Sequence, residues 1–171
     1  MLISRNKKTT IKGFTIIELL IVMGIIAVLA TFFIGGYTGV QRRARDGQRK
    51  SDLKQLANAM ELYFNDYRRY PAESSTTIAG CPSTTTTSCT WGSGQFTDTK
   101  TVYFKTVPVD PTSSTYQYIY RTDANGTYYK LYARLEVPDD PDINASITQD
   151  GCHDDAPTVC NFAITSGNTT P

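Results

Sequence analysis

Gly13-Phe14-Thr15-Ile16-Ile17-Glu18-Leu19-Leu20-Ile21-Val22-Met23-Gly24-Ile25-Ile26-Ala27-Val28-Leu29-Ala30-Thr31-Phe32-Phe33-Ile34 decides what this chain can be. Between Phe14 and Val40 the only charged residue is Glu18. Drawn as one helix, Phe14 to Ile34 would be ~32 Å long at ~1.5 Å per residue, enough to cross a ~30 Å hydrocarbon layer. Arg5, Lys7, Lys8 and Lys12 precede it; Arg42, Arg43, Arg45, Arg49 and Lys50 follow, opposed only by Asp46. Basic residues on both sides leave the orientation open.

Three processing schemes fit such a run. One is a secretory signal peptide cut after Val28-Leu29-Ala30, where small residues suit signal peptidase. Another is a permanent anchor. The third is a precursor cut on the cytoplasmic side of the run. Glu18 separates them, because a carboxylate near the start of a spanning helix costs up to a few kcal/mol and needs a partner. Cleavage before Phe14 would create an α-amine four residues away in the same apolar setting, and opposite charges there attract strongly.

The 171 residues carry 17 basic and 16 acidic side chains, a net charge of +1 and one histidine. Without a whole-molecule basic field, a dedicated nucleic-acid binder is disfavoured. No phosphate-cradling, dinucleotide or zinc-protease motif is present, and Gly92-Ser93-Gly94 is not a nucleophile elbow. His153 has no second histidine and no nucleophile at a suitable spacing.

Lys12-Gly13-Phe14-Thr15-Ile16-Ile17-Glu18-Leu19-Leu20-Ile21-Val22 resembles the class III signal of type IV prepilins and type II secretion pseudopilins. The resemblance implies a leader over 1–13, a transmembrane and assembly helix over 14–40, and a periplasmic or extracellular globular domain over 41–171. It implies cleavage by prepilin peptidase between Gly13 and Phe14, N-methylation of Phe14, and a role for Glu18 in filament assembly. Many members carry a proline partway along this helix. Here the first one beyond the run is Pro71, and Gly35, Gly36 and Gly39 sit near that place instead. Gly35-x-x-x-Gly39 fits a close helix contact and equally a plain membrane exit.

Downstream, Leu53, Leu56, Ala57, Met60, Tyr63, Phe64 and Tyr67 recur at helical spacing and predict an amphipathic stripe docked on a sheet. Pro71 ends it and pushes Tyr70 out of helical geometry. One helix from about Phe14 to Arg69 is therefore expected. Its Tyr-Pro ending resembles the major pseudopilins. Half of residues 72–101 are Ser or Thr, which reads as an exposed loop pinned by Cys81, Cys89, Trp91 and Phe96. Val102-Tyr103-Phe104 predicts a short strand. Val107-Pro108-Val109-Asp110-Pro111 is turn-rich and resembles the segment before the pseudopilin sheet. Tyr116, Tyr118 and Tyr120 alternate with Gln117, Ile119 and Arg121. After the turn Asp123 to Gly126, Tyr129, Leu131, Ala133, Leu135 and Val137 share one face, with Lys130, Arg134 and Glu136 on the other. That predicts a hairpin with one buried face. Phe162 and Ile164 suggest a last strand. The fold class is α+β: a pilin fold, with a long N-terminal helix on a small antiparallel sheet and disulfide-closed loops.

Cys81/Cys89 and Cys152/Cys160 have equal local spacing, which suggests two disulfide loops, although four cysteines allow three pairings. Disulfides imply an oxidising, extracytoplasmic location. Asp139, Asp140, Asp142, Asp150, Asp154 and Asp155 crowd the C-terminal part. The resemblance implies calcium there, but D-x-[DN]-x-[DN]-G is absent, and a solvated acidic loop is the other reading. For the basic cluster Arg42 to Lys50, lipid headgroups and acids of neighbouring subunits are preferred over DNA. Asn125, Asn144 and Asn168 begin sequons short enough to arise by chance.

The expectation is a structural filament subunit and no enzyme: a single-pass membrane protein first, then part of a periplasmic pseudopilus or a surface pilus. Its implied partners are sister copies, minor pilins, prepilin peptidase, the inner-membrane assembly platform and lipid. A secreted or anchored binding module is the alternative.

Overall fold

In a computed structural model, the structure describes residues 13–34, 37–79, 88–153 and 159–171. The chain divides into two compact units, one ending at Val40 and the other running from Gln41 to Pro171. Within the first, helix α1 spans Ile16–Ile34. Leu20, Met23, Ile25, Ile26 and Leu29 are each more than half exposed, as are Ile16, Ile17 and Val28. Apolar side chains thus look outward all the way round, the mark of a helix that is covered in a membrane or inside a larger assembly.

Helix α2 follows over Tyr37–Tyr67. Gly35 and Gly36 lie outside the described residues, so the expected single helix over 14–69 is described as two helical spans. Among the described residues no helix is long and apolar enough to cross a membrane. Within the apolar run expected over 14–40, α1 accounts for Ile16–Ile34. The helix begins at Ile16 instead of Phe14, because Thr15 serves as its cap, and its 19 residues reach only ~28 Å at ~1.5 Å each.

In the second unit the stripe on α2 is buried as expected: Leu53, Leu56 and Met60 are fully enclosed, with Ala57 and Ala59 beside them. They pack on an antiparallel sheet of three strands, β5 Ile119–Thr122, β6 Tyr129–Ala133 and β7 Phe162–Thr165, with β6 in the middle. Tyr118, Tyr120, Tyr129, Leu131, Ala133, Leu135 and Phe162 supply the facing side of this core. The helix stops at Tyr67, Arg68 takes a left-handed conformation (φ 56°), and Pro71 follows. Two two-stranded ribbons lie between helix and sheet: β1 Glu73–Ser74 with β2 Thr77–Ile78, and β3 Phe96–Thr97 with β4 Val102–Phe104. In the described parts of the Ser/Thr-rich stretch, 72–79 and 88–101, Ile78 and Phe96 enter the core, joined by Tyr103 of β4.

The β5–β6 turn needs its glycine. Gly126 has φ +65°, and a Cβ there would lie 2.6 Å from the Tyr70 carbonyl oxygen. In return the Tyr70 amide donates to the Gly126 carbonyl at 2.8 Å, tying the turn to the end of α2.

Strand β6 ends at Ala133, short of the expected Val137. Leu135 is still buried, but the Asn161 side chain takes over its pairing: the Leu135 amide donates to Asn161 Oδ1 at 2.7 Å, and Asn161 Nδ2 donates to the Leu135 carbonyl at 3.0 Å. The far face of the sheet is covered too. Ile119 and Tyr132 pack with Ile147, Cys152 and Cys160 into a second core, where only one buried face was expected. Cys152 and Cys160 are joined by a disulfide. Cys89 is buried and disulfide-bonded; Cys81 lies outside the described residues.

Leu56 and Leu62 test this packing on one helix. Leu56→Ala should cost about 2–5 kcal/mol, because it empties an enclosed site. Leu62 is 56% exposed, so Leu62→Ala should stay within about 1 kcal/mol. Urea denaturation of both variants measures the difference.

Candidate functional site

At the start of α1, Thr15 and Glu18 form a reciprocal cap. The Thr15 amide donates to Glu18 Oε2 at 2.9 Å and the Thr15 hydroxyl to the same oxygen at 2.8 Å, while the Glu18 amide donates back to Thr15 Oγ1 at 3.3 Å. This is a capping box, Thr-x-x-Glu, which satisfies orphan amides at a helix start. Glu18 therefore already has a partner in the uncut chain, and the expectation that only cleavage supplies one is corrected. The motif was readable as letters. An acid in an apolar run drew attention to charge pairing and hid its simpler role. Gly13 and Phe14 precede this cap as exposed, non-helical residues, Phe14 being 88% exposed, so the Gly13–Phe14 bond lies in non-helical backbone just outside the helix.

The second unit holds an ion network centred on Arg49, whose side chain is fully buried. Its Nε and Nη2 donate to the two oxygens of Asp110 at 2.7 and 2.9 Å. Nη1 donates to Asp46 Oδ1 and to Glu136 Oε1, both at 2.7 Å. Nη2 also donates to Thr112 Oγ1 at 2.8 Å, and the guanidinium lies over the Tyr116 ring, 5.0 Å from its centroid. All five N–H donors of the guanidinium are used. Asp46 in turn accepts from the amides of Glu136 at 3.0 Å and Val137 at 2.9 Å. Arg45 grips Glu136 through both of its oxygens. One turn further on, Lys50 Nζ donates to Asp140 and Asp142, at 2.6 Å each.

Three cations of the Arg42 to Lys50 cluster are thus spent within the chain. Readings that sent the whole cluster to lipid, neighbours or DNA are corrected: Arg45, Arg49 and Lys50 hold residues 108–112 and 134–142 against α2. Arg42 and Arg43 stay exposed. Burial works against the Arg49 charge, but bonds to Asp110, Glu136 and Asp46 outweigh it and hold the group protonated. Bonding to Arg45, opposed by burial and helped by Arg49, holds the Glu136 carboxyl down at about 2.

Farther along α2, carboxylates accept tyrosine hydroxyls: Asp52 from Tyr118 at 3.0 Å, Glu61 from Tyr70 at 3.1 Å, Asp66 from Tyr103 at 2.7 Å. A pocket of about 270 Å³ near the end of the helix is lined by Tyr67, Phe96, Asp98 and Asp123 among others. Its acids are already engaged, Asp98 by the Tyr67 hydroxyl and two amides, Asp123 by Thr127. His153 meets Tyr116 edge-on with ring centroids 4.9 Å apart.

Among the described residues no group of three His, Cys, Asp or Glu side chains could hold a metal ion. Asp154 and Asp155 lie outside the described residues. Asp139 is exposed, and Asp150 sits in a β-bridge with Val159. Sequence reasoning missed Asp110, Glu136 and Arg49 as partners; the unusual density of acids and bases around them was the available signal.

Arg49→Lys offers one ammonium in place of a five-donor fork and should destabilise the second unit by about 3–5 kcal/mol, as when a buried ion pair is broken. Because Glu136 binds its proton less readily folded than unfolded, its contribution is complete above the ordinary glutamate range and is lost as pH falls towards about 2. Asp52, raised by burial and by the charge of Asp110, acts in the opposite sense. Glu136→Gln should flatten the acid limb of stability against pH, measured by denaturant midpoints between pH 7 and 2.5.

Residues 37–147 match the family described as type II secretion system (T2SS), protein G. Residues 8–34 match the prokaryotic N-terminal methylation motif. Among curated proteins, the chain is similar to the type II secretion system core protein G of Vibrio cholerae, 29% identical over 107 residues that cover 63% of this chain and 69% of the relative. It is similar to the type IV major pilin protein PilA of Myxococcus xanthus, 39% identical over 59 residues, or 34% of this chain and 27% of that pilin. It is also similar to the type IV wide pilus major component PilA4 of Thermus thermophilus, 38% identical over 68 residues, or 40% and 52% of the two chains. The chain thus spans about a quarter of the first pilin and half of the second. No solved structure matches it. With the family match covering well over half of its length, the chain belongs to the type II secretion system protein G family.

Proposed function

We propose that this chain is a structural subunit of a filament of the type IV class, assembled at the cell envelope. The observation that carries the proposal is α1: a 19-residue helix whose apolar side chains from Ile16 to Leu29 are exposed, lying within the matched N-terminal methylation motif. Such a surface is stable only when something covers it. Lipid covers it before assembly, over residues 14–40 with the basic flanks at the interfaces, and sister helices cover it in the filament.

In this reading the leader 1–13 is removed by prepilin peptidase at Gly13, and Phe14 becomes the methylated first residue. The accessible, non-helical position of that bond supports the assignment. Moving α1 from lipid to sister helices exchanges one apolar cover for another, so burial contributes little and polar groups set the register. Glu18 supplies it: the carboxylate that caps its own helix through Thr15 accepts the Phe14 amine of a neighbouring subunit. Neither charge is then left unpaired.

The match to protein G extends to residue 147, whereas the pilin matches cover 59 and 68 residues. A secretion pseudopilus is therefore favoured over a surface pilus. The role is structural, with sister copies, minor subunits and the assembly platform as partners.

Glu18→Gln separates the two duties of this residue. Its amide oxygen still accepts from Thr15, so the cap survives, but the charge is gone. Leader removal should be unchanged and filament formation abolished, scored by immunoblot and electron microscopy. Filaments at normal yield would reduce Glu18 to a helix cap. Gly13→Val should leave the precursor uncut.

A further inference from the structure

We propose that Lys50 is the resident cation of the acidic loop at 139–142, so that this chain closes the loop with its own ammonium and takes no calcium there. The proposal rests on the loop geometry and is independent of the filament reading.

Calcium, which the family resemblance implies, needs six to eight oxygens at ~2.3–2.6 Å around one point. The place where Asp140 and Asp142 converge is filled. Lys50 Nζ lies 2.6 Å from Asp140 Oδ1 and 2.6 Å from Asp142 Oδ2. Asp140 Oδ1 also accepts the Asp142 amide at 3.0 Å, and the Ile143 amide donates to the Asp140 carbonyl at 3.1 Å. The loop is thus already wound around the ammonium. No third carboxylate joins it: among the described residues no set of three metal-ligating side chains exists.

The lysine is also delivered there by the fold. It follows Arg49, which is locked by five donors, and it lies one turn of α2 beyond Asp46. Asp46 and Arg45 fasten residues 136 and 137, and Lys50 fastens the loop three residues later. A straight run of ionic contacts along one helix side zips the segment after β6 onto α2, with Lys50 as its last tooth. Burial opposes the ammonium, but its bonds to Asp140 and Asp142 prevail and hold it protonated. One ammonium between two carboxylates leaves a residual negative charge. Removing Lys50 would leave two facing carboxylates with no counter-charge, an arrangement that a divalent cation relieves.

Thermal unfolding of the full-length chain in detergent micelles, followed by circular dichroism, tests this. In EDTA and in millimolar calcium the wild type should melt within ~1 °C of the same temperature. Calcium at a hundred times its dissociation constant would raise the midpoint by ~5–10 °C for a chain of this size, and such a rise in the wild type overturns the proposal. Lys50→Met should melt several degrees lower in EDTA and recover part of the loss in calcium. Wild-type melting of this variant in EDTA also overturns the proposal. Lys50→Arg keeps a cation in place and should remain indifferent to calcium, even if the methionine variant does not fold; a calcium response in it overturns the proposal as well.

Discussion

A guanidinium withdrawn from water is tolerable only where every N–H finds an acceptor, and Arg49 sets that condition for the globular unit. Its five donors reach Asp46 on its own helix, Asp110 and Thr112 in the segment before the sheet, and Glu136 after β6. Three stretches far apart in sequence must therefore arrive at one point together. Leaving one of them away would strand a buried charge, which costs more than most single contacts contribute. The apolar stripe of Leu53, Leu56 and Met60 supplies the bulk of the burial. The network fixes where along the helix that burial takes place.

The chain joins two solutions to the problem of apolar surface. In the second unit a helix stripe and a sheet cover each other, and Ile147 with the Cys152–Cys160 disulfide covers the sheet's other face. In the first unit α1 leaves its apolar surface outward on all sides. A subunit that polymerises needs both: a body that is stable alone and a helix whose cover can be exchanged. The Thr15–Glu18 cap shows how a carboxylate can sit at the head of such a helix without an immediate charge partner.

The amphipathic stripe, the Tyr-Pro stop, the Asp123–Gly126 turn and the strands around Tyr120, Leu131 and Ile164 were legible, because each is written in local periodicity or turn chemistry. The ion network was not. Arg49 and Asp110 stand 61 residues apart, and nothing local says that a base in a basic cluster will face inward. Tyr132 misled for a related reason. Alternation marks one face as buried, yet the opposite face is covered by Ile147, Cys152, Val159 and Cys160, which form no apolar pattern in sequence. The early end of β6 follows from Asn161 and Asp46, side chains that capture the backbone in place of a neighbouring strand. At the proposed processing site, Glu18 stood out as the lone charge of the apolar run, and family resemblance pointed to Gly13 and Phe14. The capping role of Glu18 came from local geometry.

The central claim is that α1 is the head of a processed subunit. It is tested most directly by the N-terminal residue and intact mass of the chain recovered from the cell envelope. The account predicts an N-methylated Phe14 as the first residue. A chain starting at Thr31, as after signal-peptidase cleavage, or one retaining Met1, would contradict it.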